Sequence, residues 1–208
     1  RTMALRTFVK INGITNLTDA RYCSGMYVDL LGFTFEEGAD RLVSVTTFKE
    51  ISGWVSGVNF VAEFECASSE DVQNNLANCG EIKWLEHKKI ETLLEFREKG
   101  LNLIYKCTLE ELAELGQELL DELANSEVII HVSDLKSSLS EEDEHKLKEL
   151  GIKQKIILGI GLNASNVERL VNDLNLFGIS MTGGNEIKPG LMDFNELADI
   201  LEVLEVED

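Results

Sequence analysis

Two glycine-rich stretches in the last third of the chain, at positions 156–163 and 179–185, are the best candidates for binding chemistry. Each is a short apolar run that ends abruptly in glycines, which let backbone N–H groups approach a ligand without a Cβ in the way. Glycine after a strand is also ordinary turn chemistry, which is the alternative interpretation. Two such loops in succession indicate a phosphate site. The candidate phosphate-binding residues are Gly159, Gly161, Asn163, Thr182, Gly183 and Gly184.

Two further side chains could act on a ligand. Arg41 has a planar guanidinium suited to a carboxylate or phosphate, although a surface arginine paired with a glutamate is the alternative. His131 lies in the apolar run Val128 to Val132, and a histidine there is often a core residue. The alternation of Ile129, His131 and Ser133 could instead direct it into a barrel, where an ordinary pKa of about 6.5 suits acid–base work.

The elements that must position these residues alternate along the whole chain. Eight apolar runs predict strands, and a helical pattern follows each one. The predicted strands span residues 8–11, 30–35, 60–64, 82–85, 101–105, 128–132, 156–158 and 179–181. Alternation of strand and helix predicts a parallel sheet, and a count of eight favours a closed barrel. We therefore predict an α/β fold, a single (β/α)8 or TIM barrel of minimal size over residues 1–208.

The clearest predicted helix follows the fifth strand. Thr108 and Glu111 form a capping-box pattern. Leucines then recur at helical spacing at positions 109, 112, 115, 119 and 123, which predicts one helix with a buried leucine stripe. Similarly, Asn163 is predicted to cap a helix that contains Val167 and Leu170.

Composition excludes several classes of function. With 208 residues, 44% hydrophobic and 27% charged, the chain can form one globular core and contains no apolar run long enough for a membrane span. A formal charge of −19 disfavours nucleic acid as a partner, because phosphate backbones require clustered Lys and Arg. Four widely spaced cysteines and the lack of an apolar N-terminal signal favour reduced thiols in the cytoplasm. The expected partner is a phosphorylated small molecule, and the expected state is a monomer or homodimer.

Both ends of the chain resemble the phosphoribosylanthranilate isomerase family. The resemblance is carried at the front by Val9 to Thr15, Leu31 to Phe33 and Arg41 to Ser44, and at the back by Gly161 to Val167 and Gly183 to Gly190. The middle, from about position 45 to position 155, matches by strand order. The resemblance implies a small barrel that performs an Amadori rearrangement in tryptophan biosynthesis, without a metal or an organic cofactor. It also implies that Arg41 lies close to the active site.

The chain departs from that family where the proton transfers are expected. The family motif places a catalytic cysteine base at the position of Asn12 and an aspartate acid at the position of His131. Asp134 lies three positions after His131. Ser180 stands where an aspartate is expected to meet the aromatic amine of the substrate, so it is a substrate-binding candidate. An amide does not titrate near neutral pH, so Asn12 can orient a ligand but cannot serve as the base.

Three functions fit these observations. The first is an enzyme of the isomerase family with changed chemistry, in which His131 is the acid–base group. The second is a non-catalytic or regulatory relative that still binds a phosphorylated ligand. The third is a phosphoribosylanthranilate isomerase that uses unusual residues, although loss of both base and acid should make its turnover slow, because each such group typically contributes about 10²–10⁴-fold.

Overall fold

Eight parallel strands close into a barrel, which confirms the predicted fold class. The computed structural model describes residues 3–134, 138–188 and 191–207. The barrel closes because its first strand pairs in parallel with its last, with Phe8 opposite Gly178 and Asn12 opposite Thr182. No helix in these three described ranges is long and apolar enough to cross a membrane.

The barrel strands run from β2 to β9, and two short antiparallel pairs lie outside them. The strands are β1 (Met3–Leu5), β2 (Phe8–Asn12), β3 (Leu30–Thr34), β4 (Asn59–Glu63), β5 (Trp84–His87), β6 (Asn102–Cys107), β7 (Ile129–Val132), β8 (Ile156–Leu158), β9 (Gly178–Thr182), β10 (Asn185–Lys188), β11 (Leu191–Asp193) and β12 (Glu205–Glu207). The pairing of β1 with β12 joins the two ends of the chain, and β10 pairs with β11 between the last barrel strand and the last helix. Neither pair is predicted from the apolar pattern, because each strand has only three or four residues.

Nine helices occur in the described part of the chain. They are α1 (Leu17–Gly25), α2 (Val45–Ser52), α3 (Ser69–Ala77), α4 (Ile90–Leu94), α5 (Leu109–Glu114), α6 (Gln117–Asn125), α7 (Glu141–Leu150), α8 (Val167–Asp173) and α9 (Asn195–Leu204). Side chains such as Val9, Leu31 and Ala62 alternate outward from the strands and pack in the core between the barrel and this helical layer.

The prediction of one long leucine helix after the fifth strand is wrong in one respect. The segment forms two helices, α5 and α6. The capping box of Thr108 and Glu111 is present, but extended backbone at Leu115 and Gly116 ends α5 before α6 begins. Glycine is a poor helix former, and the break rotates the second helix so that Leu120 and Leu123 are buried in it.

Several element boundaries also differ from the prediction by one to a few residues. The fourth barrel strand begins at Trp84, two residues later than expected. Helix α8 begins at Val167 with Asn166 as its cap. Asn163 instead organises the preceding turn, where its side chain accepts hydrogen bonds from the backbone N–H groups of Ser165 and Asn166 at 2.8 and 3.0 Å.

The barrel interior is built in two layers of opposite character. The lower layer is apolar and buries Leu30, Val61, Ile104, Ile129 and Ile157, with Phe8, Trp84 and Phe177 packed against them. Side chains alternate along a strand, so the next inward position is two residues further on. These positions lie toward the C-terminal ends of the strands, and each is polar or a glycine. The upper layer consists of Lys10, Gly32, Glu63, Glu86, Lys106, His131, Gly159 and Ser180.

Candidate functional site

The centre of the upper layer is a buried lysine between two glutamates. Lys10 is fully buried and forms ion pairs with Glu63 and with Glu86, the latter at 3.5 Å. Its ammonium also donates a hydrogen bond to the Asn12 side-chain oxygen at 2.5 Å. A buried charge is tolerated only when opposite charges and hydrogen bonds compensate it. Lys10 therefore fixes both carboxylates and the side chain at the expected base position.

Glu63 is held on both of its carboxylate oxygens. Oε2 accepts from Lys10, while Oε1 accepts from the Gly13 backbone N–H at 2.9 Å and from the Thr34 hydroxyl at 3.3 Å. A Cβ on Gly32 would overlap this carboxyl, with Oε1 at 2.8 Å. Gly32 is therefore the position at which the barrel wall makes room for Glu63.

Glu86, His131 and Ser180 form a second chain of contacts across the same layer. Glu86 contacts Nδ1 of His131, and Nε2 of His131 lies 2.6 Å from the Ser180 hydroxyl oxygen. All three residues are at least 97% buried. Burial raises the pKa of Glu86, but the charge of Lys10 and the contact with His131 outweigh burial and hold that pKa below its usual range. Burial lowers the pKa of His131, against the opposing effect of Glu86.

Burial and the neighbouring lysine favour one protonation state for these three residues. Burial lowers the pKa of His131 and so favours its neutral imidazole. The Lys10 ammonium, 3.5 Å from the Glu86 carboxylate, favours the ionised form of Glu86. Ionised Glu86 can only accept a hydrogen bond, so Nδ1 carries the proton of His131 and Nε2 accepts from Ser180.

The other predicted site residues lie around the C-terminal mouth of the barrel. Arg41 is half-buried in the loop after β3, and its guanidinium donates to the Gly13 backbone oxygen at 3.1 Å. Asn12 and Arg41 both line a mouth cavity of about 1100 Å³, as do Lys106 and Thr182. Asp134, the alternative to His131, lies beyond β7 and is half-buried.

The two glycine loops lie together and share a cavity of about 400 Å³. This loop cavity is lined by Gly159, Gly161, Leu162, Ser180, Met181, Thr182, Gly183, Gly184, Glu196, Leu197 and Ile200. Asn163 is not among these lining residues. Gly161 has a positive φ of 68°, a conformation that side chains other than glycine rarely adopt.

The amides of the glycine pair in the second loop already have partners. Gly183 N–H donates to the Asn12 backbone oxygen at 3.0 Å, and Gly184 N–H donates to the Asp19 carboxylate at 3.1 Å. Asp19 is fully buried, and burial raises its pKa despite the Gly184 hydrogen bond and the nearby Arg41. Gly183 faces this carboxyl so closely that a Cβ there would lie 3.3 Å from its Cγ and overlap Oδ2. Gly183 therefore also serves a packing role, and the Gly184 N–H holds the Asp19 carboxylate.

The site residues predicted from the sequence do not include most charged residues of the upper layer. Lys10 and Glu63 each interrupt an apolar run, as in Val9-Lys10-Ile11, and Glu86 directly follows one; these charges next to buried positions are the signal that could have identified them. Burial of a charged residue requires a partner, so isolated charges in several buried strands indicate a shared interior cluster. Within the three described ranges, no group of three or more His, Cys, Asp and Glu residues is arranged to hold a metal ion.

Comparison with known proteins agrees with the resemblance seen in the sequence. No protein-family model matches the chain. The N-(5'-phosphoribosyl)anthranilate isomerase of Xylella fastidiosa (strain M12) is 24% identical over 200 residues, which cover 95% of this chain and 91% of the relative.

Solved structures of the same isomerase share the fold. The enzyme of Thermotoga maritima superposes with a TM-score of 0.75 at 21% identity, covering 95% of this chain and 98% of that one. A phosphoribosylanthranilate isomerase in complex with reduced 1-(o-carboxyphenylamino)-1-deoxyribulose 5-phosphate gives a TM-score of 0.72 at 20% identity, with the same coverage of both chains. The predicted resemblance is confirmed: the chain is similar to phosphoribosylanthranilate isomerases over nearly its whole length and shares their fold.

Proposed function

We propose that this barrel binds a phosphorylated sugar-type ligand, with the phosphate in the loop cavity. The observation that carries the proposal is that both predicted glycine loops line one cavity of about 400 Å³ at the C-terminal ends of β8 and β9. This is where (β/α)8 barrels commonly hold phosphate. A solved neighbour of the same fold is a complex with a phosphorylated ribulose derivative, which supports the same ligand class here.

The contacts to the phosphate would come from Gly161 and Leu162 in the first loop and from Thr182, because the Gly159 N–H donates to the Val132 backbone oxygen at 2.8 Å and the Asn163 N–H donates to the Asn166 side chain at 2.9 Å. The backbone N–H groups of Gly183 and Gly184 are engaged by Asn12 and Asp19, so their contribution is to leave space. Thr182 is exposed and lines both the loop cavity and the mouth cavity. A ligand with its phosphate in the loop cavity would therefore pass Thr182 and extend its sugar into the mouth cavity, toward Asn12 and Arg41.

We further propose that ordinary phosphoribosylanthranilate isomerisation is at most a slow activity of this protein. Asn12 has no titratable proton, and its side-chain oxygen is already bonded to Lys10. His131 takes the position of the family's aspartate acid, but it is a neutral, buried imidazole covered by the Ser180 hydroxyl. That position therefore presents no carboxylic acid to a ring oxygen. These features support either changed chemistry at His131 or a non-catalytic binding role.

The charge of the mouth cavity also disfavours the substrate of the relatives. Its lining contains seven acidic residues, Glu36, Glu37, Asp40, Glu63, Glu65, Asp71 and Glu86, against Arg41 and Lys106. A ligand that carries an anthranilate carboxylate would bring a further negative charge into this lining. A neutral sugar portion would not, which favours a simple sugar phosphate.

Calorimetric titration with ribose 5-phosphate and ribulose 5-phosphate tests the binding proposal. Thr182→Glu adds a negative charge to the loop cavity, and Thr182→Gln is its neutral control of nearly equal size. Two unit charges about 4 Å apart repel by about 1–4 kcal/mol at effective dielectric constants between 80 and 20. We expect Thr182→Glu to bind at least about fivefold more weakly than Thr182→Gln, and unphosphorylated ribose to bind neither.

Two results would contradict the proposal. One is equal affinity of Thr182→Glu and Thr182→Gln for the sugar phosphates. The other is the absence of binding by the wild-type protein at millimolar ligand. In either case the glycine loops would be turns without a phosphate site.

A further inference from the structure

The contacts of Ser180 in the upper layer have a consequence that does not depend on phosphate binding. Three strands, β5, β7 and β9, bring a glutamate, a histidine and a serine into one line. The serine oxygen lies 2.6 Å from Nε2, and the glutamate contacts the opposite ring nitrogen, Nδ1. This is the order of contacts by which a histidine takes a proton from a serine while a carboxylate orients it.

We propose that Ser180 is a nucleophile activated by His131 and Glu86, and that it reacts with small carboxylic esters. This inference goes beyond the proposed ligand binding. No proton-transfer role for Ser180 is implied by the family resemblance, in which its position meets the substrate amine.

The surroundings of Glu86 favour the activated form. Lys10 pairs with Glu86 on the side away from the ring, so the carboxylate stays ionised and keeps the Nδ1 proton. The lone pair of Nε2 is then directed at the Ser180 hydroxyl. Ser180 is therefore the donor in that hydrogen bond, which is the arrangement that precedes nucleophilic attack.

Gly159 makes room for the Ser180 hydroxyl itself. A Cβ on Gly159 would overlap the Ser180 oxygen and would lie 3.4 Å from Nε2 of His131. Both Gly159 and Ser180 line the loop cavity, which is large enough for a short acyl group. Ser180 is only 3% accessible, so a reagent would have to reach its hydroxyl from this cavity.

The reaction balances without a cofactor. The Ser180 oxygen bonds to the carbonyl carbon of an ester while its proton passes to Nε2 of His131. The carbon–oxygen bond to the alcohol then breaks, and the departing alkoxide takes the proton from His131. Water then attacks the acyl carbon while its proton passes to Nε2 of His131. The carbon–oxygen bond to Ser180 breaks, the serine oxygen takes the proton from His131, and the carboxylic acid is released.

Labelling of the native protein with a fluorophosphonate, followed by peptide mass spectrometry, tests this proposal without a known substrate. We expect one major label, on Ser180, that is absent from Ser180→Ala and from protein unfolded in guanidinium. Exposed serines such as Ser56 and Ser165 serve as internal controls in the same sample. A label no stronger on Ser180 than on these serines would overturn the proposal.

Dependence on the histidine separates activation from mere accessibility. His131→Ala should lower the labelling rate constant by at least about 100-fold, the lower end of the usual range for a general base. Glu86→Gln should also lower it, with folding of both variants checked by circular dichroism. Unchanged labelling in a folded His131→Ala protein would refute a role for the imidazole.

A pH profile of wild-type labelling provides the same test without a variant. The charged or titratable groups that interact with His131 are Glu86 on β5, Lys10 on β2 and Lys106 on β6, with Ser180 on β9. Burial lowers the pKa of His131, so the rate should be flat above its ordinary value of about 6.5 and fall only at lower pH. A rate that instead rises about tenfold per pH unit between about pH 6 and about pH 9 would indicate an unassisted hydroxyl and overturn the proposal.

Discussion

Replacement of Lys10 by methionine should be among the most damaging single changes in the barrel. Methionine is close to lysine in length and flexibility, so the change removes the charge with little loss of volume. Lys10 is fully buried and pairs with Glu63 and Glu86 while donating to Asn12. Without it, two carboxylates remain in the layer with no central cation.

The expected loss follows from the cost of an uncompensated buried charge. Breaking a buried ion pair by removing one partner costs about 3–5 kcal/mol. Small domains have a free energy of unfolding of about 5–15 kcal/mol, so this loss is a large share of the total. Protonation should relieve part of it, because the pKa of Glu86 rises when Lys10 is absent. We therefore expect a smaller loss at about pH 5 than at about pH 7.

Urea unfolding followed by far-UV circular dichroism measures this loss. Lys10→Met combined with Glu63→Gln should be less destabilised than the sum of the two single changes, because one uncompensated carboxylate is gone. Lys99→Met at an exposed position is the control and should change the free energy of unfolding by no more than about 0.5 kcal/mol. A Lys10→Met protein within about 1 kcal/mol of wild type would refute the buried ionic layer.

Three other expectations follow from the same geometry. Gly32→Ala should cost about 1–3 kcal/mol, because its Cβ would overlap the Glu63 carboxyl, whereas Gly25→Ala, with nothing within 4 Å, should not destabilise; thermal unfolding compares the two. Glu196→Gln removes an exposed negative charge from the loop cavity. Calorimetry should therefore show ribose 5-phosphate binding that is about twofold to fivefold stronger, and weaker binding would count against a phosphate in the loop cavity. The folded pKa of Glu86 lies below its ordinary value of about 4.5, so its stabilisation is complete above that pH and declines toward lower pH. In acid titrations, the free energy of unfolding should therefore decline less steeply for Glu86→Gln than for wild type.

The barrel could be predicted because its strands are separated by clear helical patterns. Each strand ends at glycine or polar residues, and the repeat count of eight is the number that closes the sheet. The break at Gly116 shows the limit of periodicity. Leucines at helical spacing continue across it, but the local backbone is extended and the helix restarts in a new register.

The site could be predicted only in part, for a physical reason. Each glycine loop is one continuous stretch of sequence at the end of a strand. Because the two strands are adjacent and parallel, the loops meet and line one cavity. The charged residues of the upper layer and His131 come from five strands, β2, β4, β5, β6 and β7. Lys10 and Glu63, which form an ion pair, are 53 positions apart in the sequence. Nothing local in the sequence states which charged residue meets which. That information arises only when closure of the barrel sets the register.

We propose that this barrel retains a ligand site but lacks the ordinary proton-transfer groups of the phosphoribosylanthranilate isomerases that it resembles. The most direct measurement is the turnover of phosphoribosylanthranilate, followed by loss of its fluorescence, in wild type and Asn12→Cys. A cysteine beside Lys10 would gain thiolate character, because a nearby ammonium stabilises the anion. We predict wild-type turnover far below the usual enzyme range of about 1–10³ s⁻¹ and a higher rate in Asn12→Cys. Wild-type turnover within that range would contradict the claim.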